Sequence, residues 1–201
     1  PGIKAYPVDV LEQDQMITTL GKIEADLAFP DVVILNVGTY AATPASDFDA
    51  KRATEIININ LLGMINGLAT VMPRYIAERR GHLVLMASVA GYRGLPYAAA
   101  YSASKAGVIA LAESLKPELD AAGVRIQVIT PGFVRTPLTA RNDFPMPFMI
   151  EVEEAARRIR QGIGRRGFEI TFPRRFTYLL KILRILPYRL FFAITRRMLR
   201  H

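Results

Sequence analysis

The sequence predicts an α/β fold on a doubly wound, mostly parallel sheet. Three observations carry that prediction. Continuous apolar runs rich in β-branched residues alternate with stretches of helical period. The runs at 31–38, 81–88 and 124–132 end in turn-forming residues, as buried parallel strands do. Just over half of the 201 residues are hydrophobic and 22% are charged, the profile of a folded chain with a sizeable core.

The elements follow in order. "IKAYPV" (3–8) reads as a short strand. "EQDQMITTLGKIEADL" (12–27) sets Met16, Leu20, Ile23 and Leu27 on one helical face. "DVVILNVG" (31–38) is a buried strand. A long helical stretch spans 46–79, with Ser46 or Asp47 placed to cap it. "GHLVLMAS" (81–88) is a second buried strand, and "YAAAYSASKAGVIALAESLKPEL" (97–119) an alanine-rich helix. "VRIQVITPG" (124–132) is a strand stopped by Pro-Gly, and an apolar loop follows at 133–150. The helix at 151–162 opens with acids and closes with arginines, which suits its dipole. "GFEITFP" (167–173) is the last strand.

Residues 1–173 are expected to form one domain and 174–201 a basic tail. Eight of the 26 basic residues lie in the tail, which holds no acid; the other 18 balance all 18 acids. With no cysteine, disulfides and thiolate metal sites are excluded. The histidines are His82 and His201, so a Ser-His-Asp triad would have to use His82, at the entrance of a strand. No apolar run reaches the ~18 residues of a membrane span.

The segment "GIGRRG" (162–167) fits the dinucleotide pattern G-x-G-x-x-G but stands in the wrong place. A phosphate-cradling loop follows a strand and opens a helix, whose N-terminal N–H groups hold the anion. This segment leaves a helix and enters a strand, so Gly162 or Gly164 is read as a left-handed C-cap.

Four features fall where chemistry is done. Tyr101 and Lys105 lie one turn apart on one helix face. An ammonium beside a phenol favours the phenolate, and such a phenol passes protons to and from a carbonyl or alcohol oxygen. Ser88 ends a strand on the sheet's carboxyl edge, where ligands bind in such folds, or makes a local turn bond. Asn60 sits in mid-helix, where asparagine is a poor former and asks for a reason. Pro131, Gly132 and Thr136 follow another strand end.

Taken together these residues resemble the short-chain dehydrogenase/reductase family, and the resemblance covers most of the chain. "SVAGYRGLPYAAAYSASKAG" is a close match to the family's serine-to-lysine segment, and "TPGFVRT" to its nicotinamide-side motif. Asn36, Val37 and Gly38 resemble its N-N-A-G turn, with Leu35 in place of the first Asn and Val37 in place of Ala. The resemblance implies a Rossmann-like fold and a catalytic tetrad of Asn60, Ser88, Tyr101 and Lys105. It implies a cofactor, NAD or NADP, held by Asp9, Val10, Asn36, Gly38, Tyr101, Lys105, Pro131, Gly132 and Thr136. Tyr101 would be general acid or base, Ser88 would hold the substrate oxygen, and Lys105 would lower the Tyr101 pKa and bond the nicotinamide ribose. Asn60 would anchor a water leading from Lys105 to solvent.

The family's phosphate loop, T-G-x-x-x-G-x-G, belongs before "IKAYPVDV" and has no counterpart in this sequence. The first βαβα block, roughly 50 residues, is therefore expected to precede Pro1 in the gene product. The residue that separates NAD from NADP belongs to that block too.

The expected function is NAD(P)-dependent interconversion of a carbonyl and an alcohol. The alternative is a non-catalytic fragment or scaffold module. Phe144, Met146, Phe148 and neighbours in the 133–150 loop suit an apolar substrate, or simply pack on the tail. The family pairs through helices such as 46–79 and 97–119, so a homodimer or homotetramer is expected, with Ala99, Ala103 and Ala106 permitting close contact. No nucleic-acid motif accompanies the basic charge. The tail either contacts an anionic membrane surface or covers the core or a subunit partner. A cytoplasmic location, with membrane contact only at the periphery, is expected.

Overall fold

Each apolar run becomes a strand of one parallel sheet. A computed structural model describes residues 3–141 and 144–199. The strands β1 (Val32–Leu35), β2 (His82–Met86), β3 (Arg125–Pro131) and β4 (Glu169–Phe172) lie in that order. All are parallel, with Val32 level with His82, His82 with Arg125, and Val128 with Glu169. Sequence order equals spatial order because each connection carries a helix back across the sheet.

Helices α1 (Gln13–Asp26), α2 (Ala50–Ile57), α3 (Gly63–Glu78) and α4 (Ala99–Ala121) precede or separate the first three strands. Helix α5 (Val152–Ile163) precedes β4, and α6 (Arg174–Ile185) and α7 (Tyr188–Arg196) end the described chain. Strand alternation divides the core in two. Leu83, Leu85, Ile126 and Val128 meet Leu68, Val71, Val108 and Ala112 on one side. Val84, Ile129, Ile170 and Phe172 meet Ala155 and Ile159 of α5 on the other.

Several expected details change. Residues 3–9 are irregular and mostly exposed, not a strand; the outer edge of β1 has no partner strand among the described residues. Val32 and Ile34 stay 42% and 45% exposed on that uncovered part of the sheet. The cap of the long helix is Asp49, whose carboxylate accepts from the N–H groups of Lys51 and Arg52; Ser46 and Asp47 lie in the preceding 3-10 turn. The stretch Ala50–Glu78 is long and apolar enough to cross a membrane. Its buried residues, among them Ile56, Met64 and Tyr75, belong instead to the protein interior.

"GIGRRG" is a turn, but the left-handed cap is not there. Gly162 lies in the last turn of α5, and Gly164 has φ −72°. Close approach is the reason for Gly162, where a Cβ would stand 2.6 Å from Ile170 Cγ2. Buried Gln127 ties the turn by donating to the carbonyls of Gly162, Arg165 and Gly167.

His82 opens β2 at the amino end, six residues before Ser88, about 20 Å along the strand. No triad with Ser88 can form. Burial, then the Arg125 charge, pushes the His82 pKa down to about 4. Because the folded value lies below the unfolded 6.5, its neutral state supports folding above pH 6.5, and that support is lost as pH falls toward 4. His82→Phe should flatten the loss of stability across that window, measured by urea unfolding; an unchanged profile would show that other groups control it.

Candidate active site

The carboxyl ends of β1, β2 and β3 bring the predicted groups to one edge of the sheet. Ser88 follows β2 and caps a short 3-10 turn, its Oγ accepting from the Ala90 N–H at 3.2 Å. Tyr101 and Lys105 stand in the first two turns of α4. The Tyr101 phenol lies close enough to Ser88 for that hydroxyl to lower its pKa, so the strand-end serine makes its turn bond and faces the phenol as well. The Tyr101 ring meets Tyr40 edge-on at 5.2 Å.

Lys105 is 3% exposed, and its Nζ donates to the Met86 carbonyl at 2.9 Å. It lies 5.8 Å from the centre of the Tyr101 ring. Desolvation pushes its pKa down to about 8. The expected acidification of Tyr101 does not occur in this state. Burial raises the phenol above its ordinary value, the neighbouring Ser88 hydroxyl opposes this in part, and Tyr40 adds to it. The ammonium is spent on a backbone carbonyl, and the loss of water around the phenolate dominates.

Asn60 occupies a π-turn, Asn58–Leu62, between α2 and α3. This answers why asparagine stands in mid-helix: such turns break the i to i−4 ladder and recur at functional sites. Its Oδ1 accepts from the Thr39 N–H at 2.7 Å. Its Nδ2 donates to the Thr39 carbonyl at 2.9 Å and to Ser104 Oγ at 3.0 Å. Ser104 Oγ in turn donates to the Tyr101 carbonyl at 2.8 Å. The fully buried side chain of Asn60 thus fastens the turn after β1 to the helix of Tyr101 and Lys105.

Gly38 lies in that turn. A Cβ there would come 3.3 Å from Lys105 Nζ and 3.6 Å from Asn60 Oδ1, so glycine leaves open backbone above the ammonium. Asn36 is exposed beside it. Val10 packs its Cγ2 where a Cβ on Gly63 would stand, at 2.8 Å, and its carbonyl accepts from Asn66 Nδ2 at 2.9 Å. Asp9 is exposed, its Oδ1 accepting from the Leu11 N–H. Pro131 ends β3; Gly132 donates its N–H to the Phe172 carbonyl and backs onto Phe176. The Thr136 hydroxyl accepts from the Thr139 N–H at 3.3 Å and so is held within its own loop.

Sequence reasoning missed Ser104, Thr39 and Asn66. Ser104 was open to discovery, being a serine on the inward side of the helix between Tyr101 and Lys105. Thr39 works through its backbone, and Asn66 serves a contact 56 residues away, so neither leaves a local signal.

Gly91 sets the spacing between the segment that follows Ser88 and the helix of Tyr101 and Lys105. A Cβ there would lie 2.7 Å from the Lys105 carbonyl and 2.9 Å from the Ala106 N, both backbone atoms that cannot swing aside. Gly91→Ala should cost roughly 2 kcal/mol of stability by overpacking and separate Ser88 from Tyr101. A thermal melt within 1 °C or so of the parent would refute the contact.

A family model described as short chain dehydrogenase matches residues 2–144. This chain belongs to the short-chain dehydrogenase family. An uncharacterized oxidoreductase of Myxococcus xanthus is 38% identical over 199 residues, covering 98% of this chain and 79% of that one. A 3-oxoacyl-(acyl-carrier-protein) reductase of Thermotoga maritima is 33% identical over 142 residues, 70% of this chain and 58% of its own length. A short-chain dehydrogenase of Burkholderia cenocepacia, solved in complex with NADP, superposes with TM-score 0.81 at 21% identity, covering 96% of this chain and 77% of that one. The likeness confirms the Rossmann-like fold.

Proposed function

We propose that this short-chain dehydrogenase interconverts a carbonyl and an alcohol with NAD or NADP, Tyr101 acting as general acid or base. The observation that carries the reading is the cluster of Ser88, Tyr101 and Lys105, phenol beside hydroxyl with an ammonium one turn on. The residues fit the nicotinamide-ribose end of such a cofactor. Lys105 has three donors and one bond to the described residues, beneath the backbone that Gly38 leaves open. A bound nicotinamide supplies or accepts the hydride. Asp9, Val10, Asn36, Pro131, Gly132 and Thr136 would flank the same group, Thr136 once it turns from Thr139.

In reduction, Ser88 Oγ holds the substrate oxygen and Tyr101 gives it a proton; in oxidation Tyr101 takes the proton. Ribose hydroxyls on Lys105 would draw its ammonium toward the phenol and so favour the phenolate. Asn60 keeps Gly38 and Tyr101 in register through Thr39 and Ser104, and a water on its backbone would return the proton to Lys105. The substrate is apolar in this reading, because Phe133 and Phe148 present an aromatic wall backed by Phe176 at 5.5 and 6.1 Å. Exposed Ala99, Ala103 and Ala106 on α4 would seat a second subunit in a homodimer or homotetramer.

The gene product, offered aryl, acyl and steroid-like ketones with each reduced nicotinamide, should oxidise one cofactor in step with ketone consumed. Binding of neither cofactor would overturn the proposal.

A further inference from the structure

The basic tail has two apolar sides, and the protein uses one. Phe176, Leu180 and Leu183 point inward and belong to the main core. Leu179 and Ile182, next to them in sequence, face outward. Leu179, Ile182 and Ile185 of α6, with Tyr188, Leu190 and Phe192 of α7, are each at least half exposed. Pro187 turns the chain between the two helices, and the six side chains flank that corner.

The charges around the corner choose its occupant. Lys181 is paired with Glu169, and Arg184 reaches Glu113 at 3.7 Å. Arg174, Arg175, Arg189, Arg196 and Arg197 are exposed and have no acid within ion-pair distance among the described residues. A second copy placed on this face would bring arginines against arginines. An anionic bilayer surface offers both counterparts: headgroups for the cations and an acyl boundary for the apolar corner. We infer that the α6–α7 corner docks on anionic lipid surfaces as a peripheral membrane contact.

The corner is fixed to the rest of the molecule. Arg93 Nη1 donates to the carbonyls of Leu183 at 2.8 Å and Leu186 at 2.6 Å. Its guanidinium lies 4.1 Å from the centre of the Phe191 ring and 4.8 Å from that of Tyr188. Tyr92 and Lys181 both bond Glu169. The segment that follows Ser88 is thereby clamped to the docking helices, and the lipid surface lies against the same body as the candidate active site. Docking stands apart from the proposed chemistry, because its readout is binding.

Deleting the tail would remove core residues, so exposed positions serve the test. The gene product would be sedimented with phosphatidylcholine vesicles, with and without about 30% phosphatidylglycerol, at about 0.1 and about 0.5 M salt. Binding should require the anionic lipid and weaken at least about ten-fold in high salt. Arg189→Gln with Arg196→Gln and Arg197→Gln, and separately Ile185→Ser with Phe192→Ser, should each lower binding at least about ten-fold while circular dichroism is unchanged. Equal binding of either variant, or no binding by the parent, overturns the inference. So does a dimer that the apolar variant dissociates while vesicles are ignored.

Discussion

Tyr101→Phe is expected to lower kcat/KM for carbonyl reduction by roughly 10²–10⁴-fold, the usual worth of a positioned general acid. The change removes one oxygen and leaves the ring. The edge-on contact with Tyr40 survives, and Ser88 keeps its bond from the Ala90 N–H. Melting temperature should therefore move little, which separates lost chemistry from lost fold. Cofactor affinity should also hold, because the Lys105 ammonium bonds Met86 and not the phenol. The Tyr101 phenol is raised above its ordinary pKa by burial, so at neutral pH it would be protonated, as the proposed acid role in reduction requires. A Phe variant within about ten-fold of the parent would remove Tyr101 from the acid–base role.

The sheet was legible because buried parallel strands leave unmistakable apolar runs, as "VVIL" and "HLVLM" do here. Tyr101, Lys105 and Ser88 were legible because strand ends and one helical turn fix their neighbourhood from local sequence. What failed was tertiary. "IKAYPV" has strand composition, but a strand exists only where a neighbour offers its N–H and C=O groups, and none does among the described residues. The phenol's acidity failed because spacing along a helix places two side chains on one face without saying which way the ammonium points or how dry the pocket is. The tail's cover was left open because helical period alone does not reveal that Leu180 and Leu183 are covered while Leu179 and Ile182 are not.

Lys105→Met should make the protein more stable and far less active, two effects of opposite sign from one ammonium. The folded pKa of Lys105, about 8, lies below its ordinary value of 10.5. Between those values the unfolded chain holds a proton that the folded chain has released, so stability rises with pH across that window. Below pH 8 the buried ammonium is charged in both states, and its lost hydration costs about 3 kcal/mol. Methionine fills nearly the same volume without that cost but gives up the charge-assisted bond to the Met86 carbonyl, worth about 1.5–3 kcal/mol. A net gain of up to about 1.5 kcal/mol at pH 7 is expected in urea unfolding. The advantage should vanish as pH climbs from 8 to 10.5, because the parent then sheds its charge. Reduction should fall by about 10²-fold or more, since no cation remains to hold the ribose or favour the phenolate. A variant less stable than the parent at pH 7 would mean that an anion not yet identified already satisfies Lys105. A gain that persists unchanged to pH 10.5 would instead point to better packing.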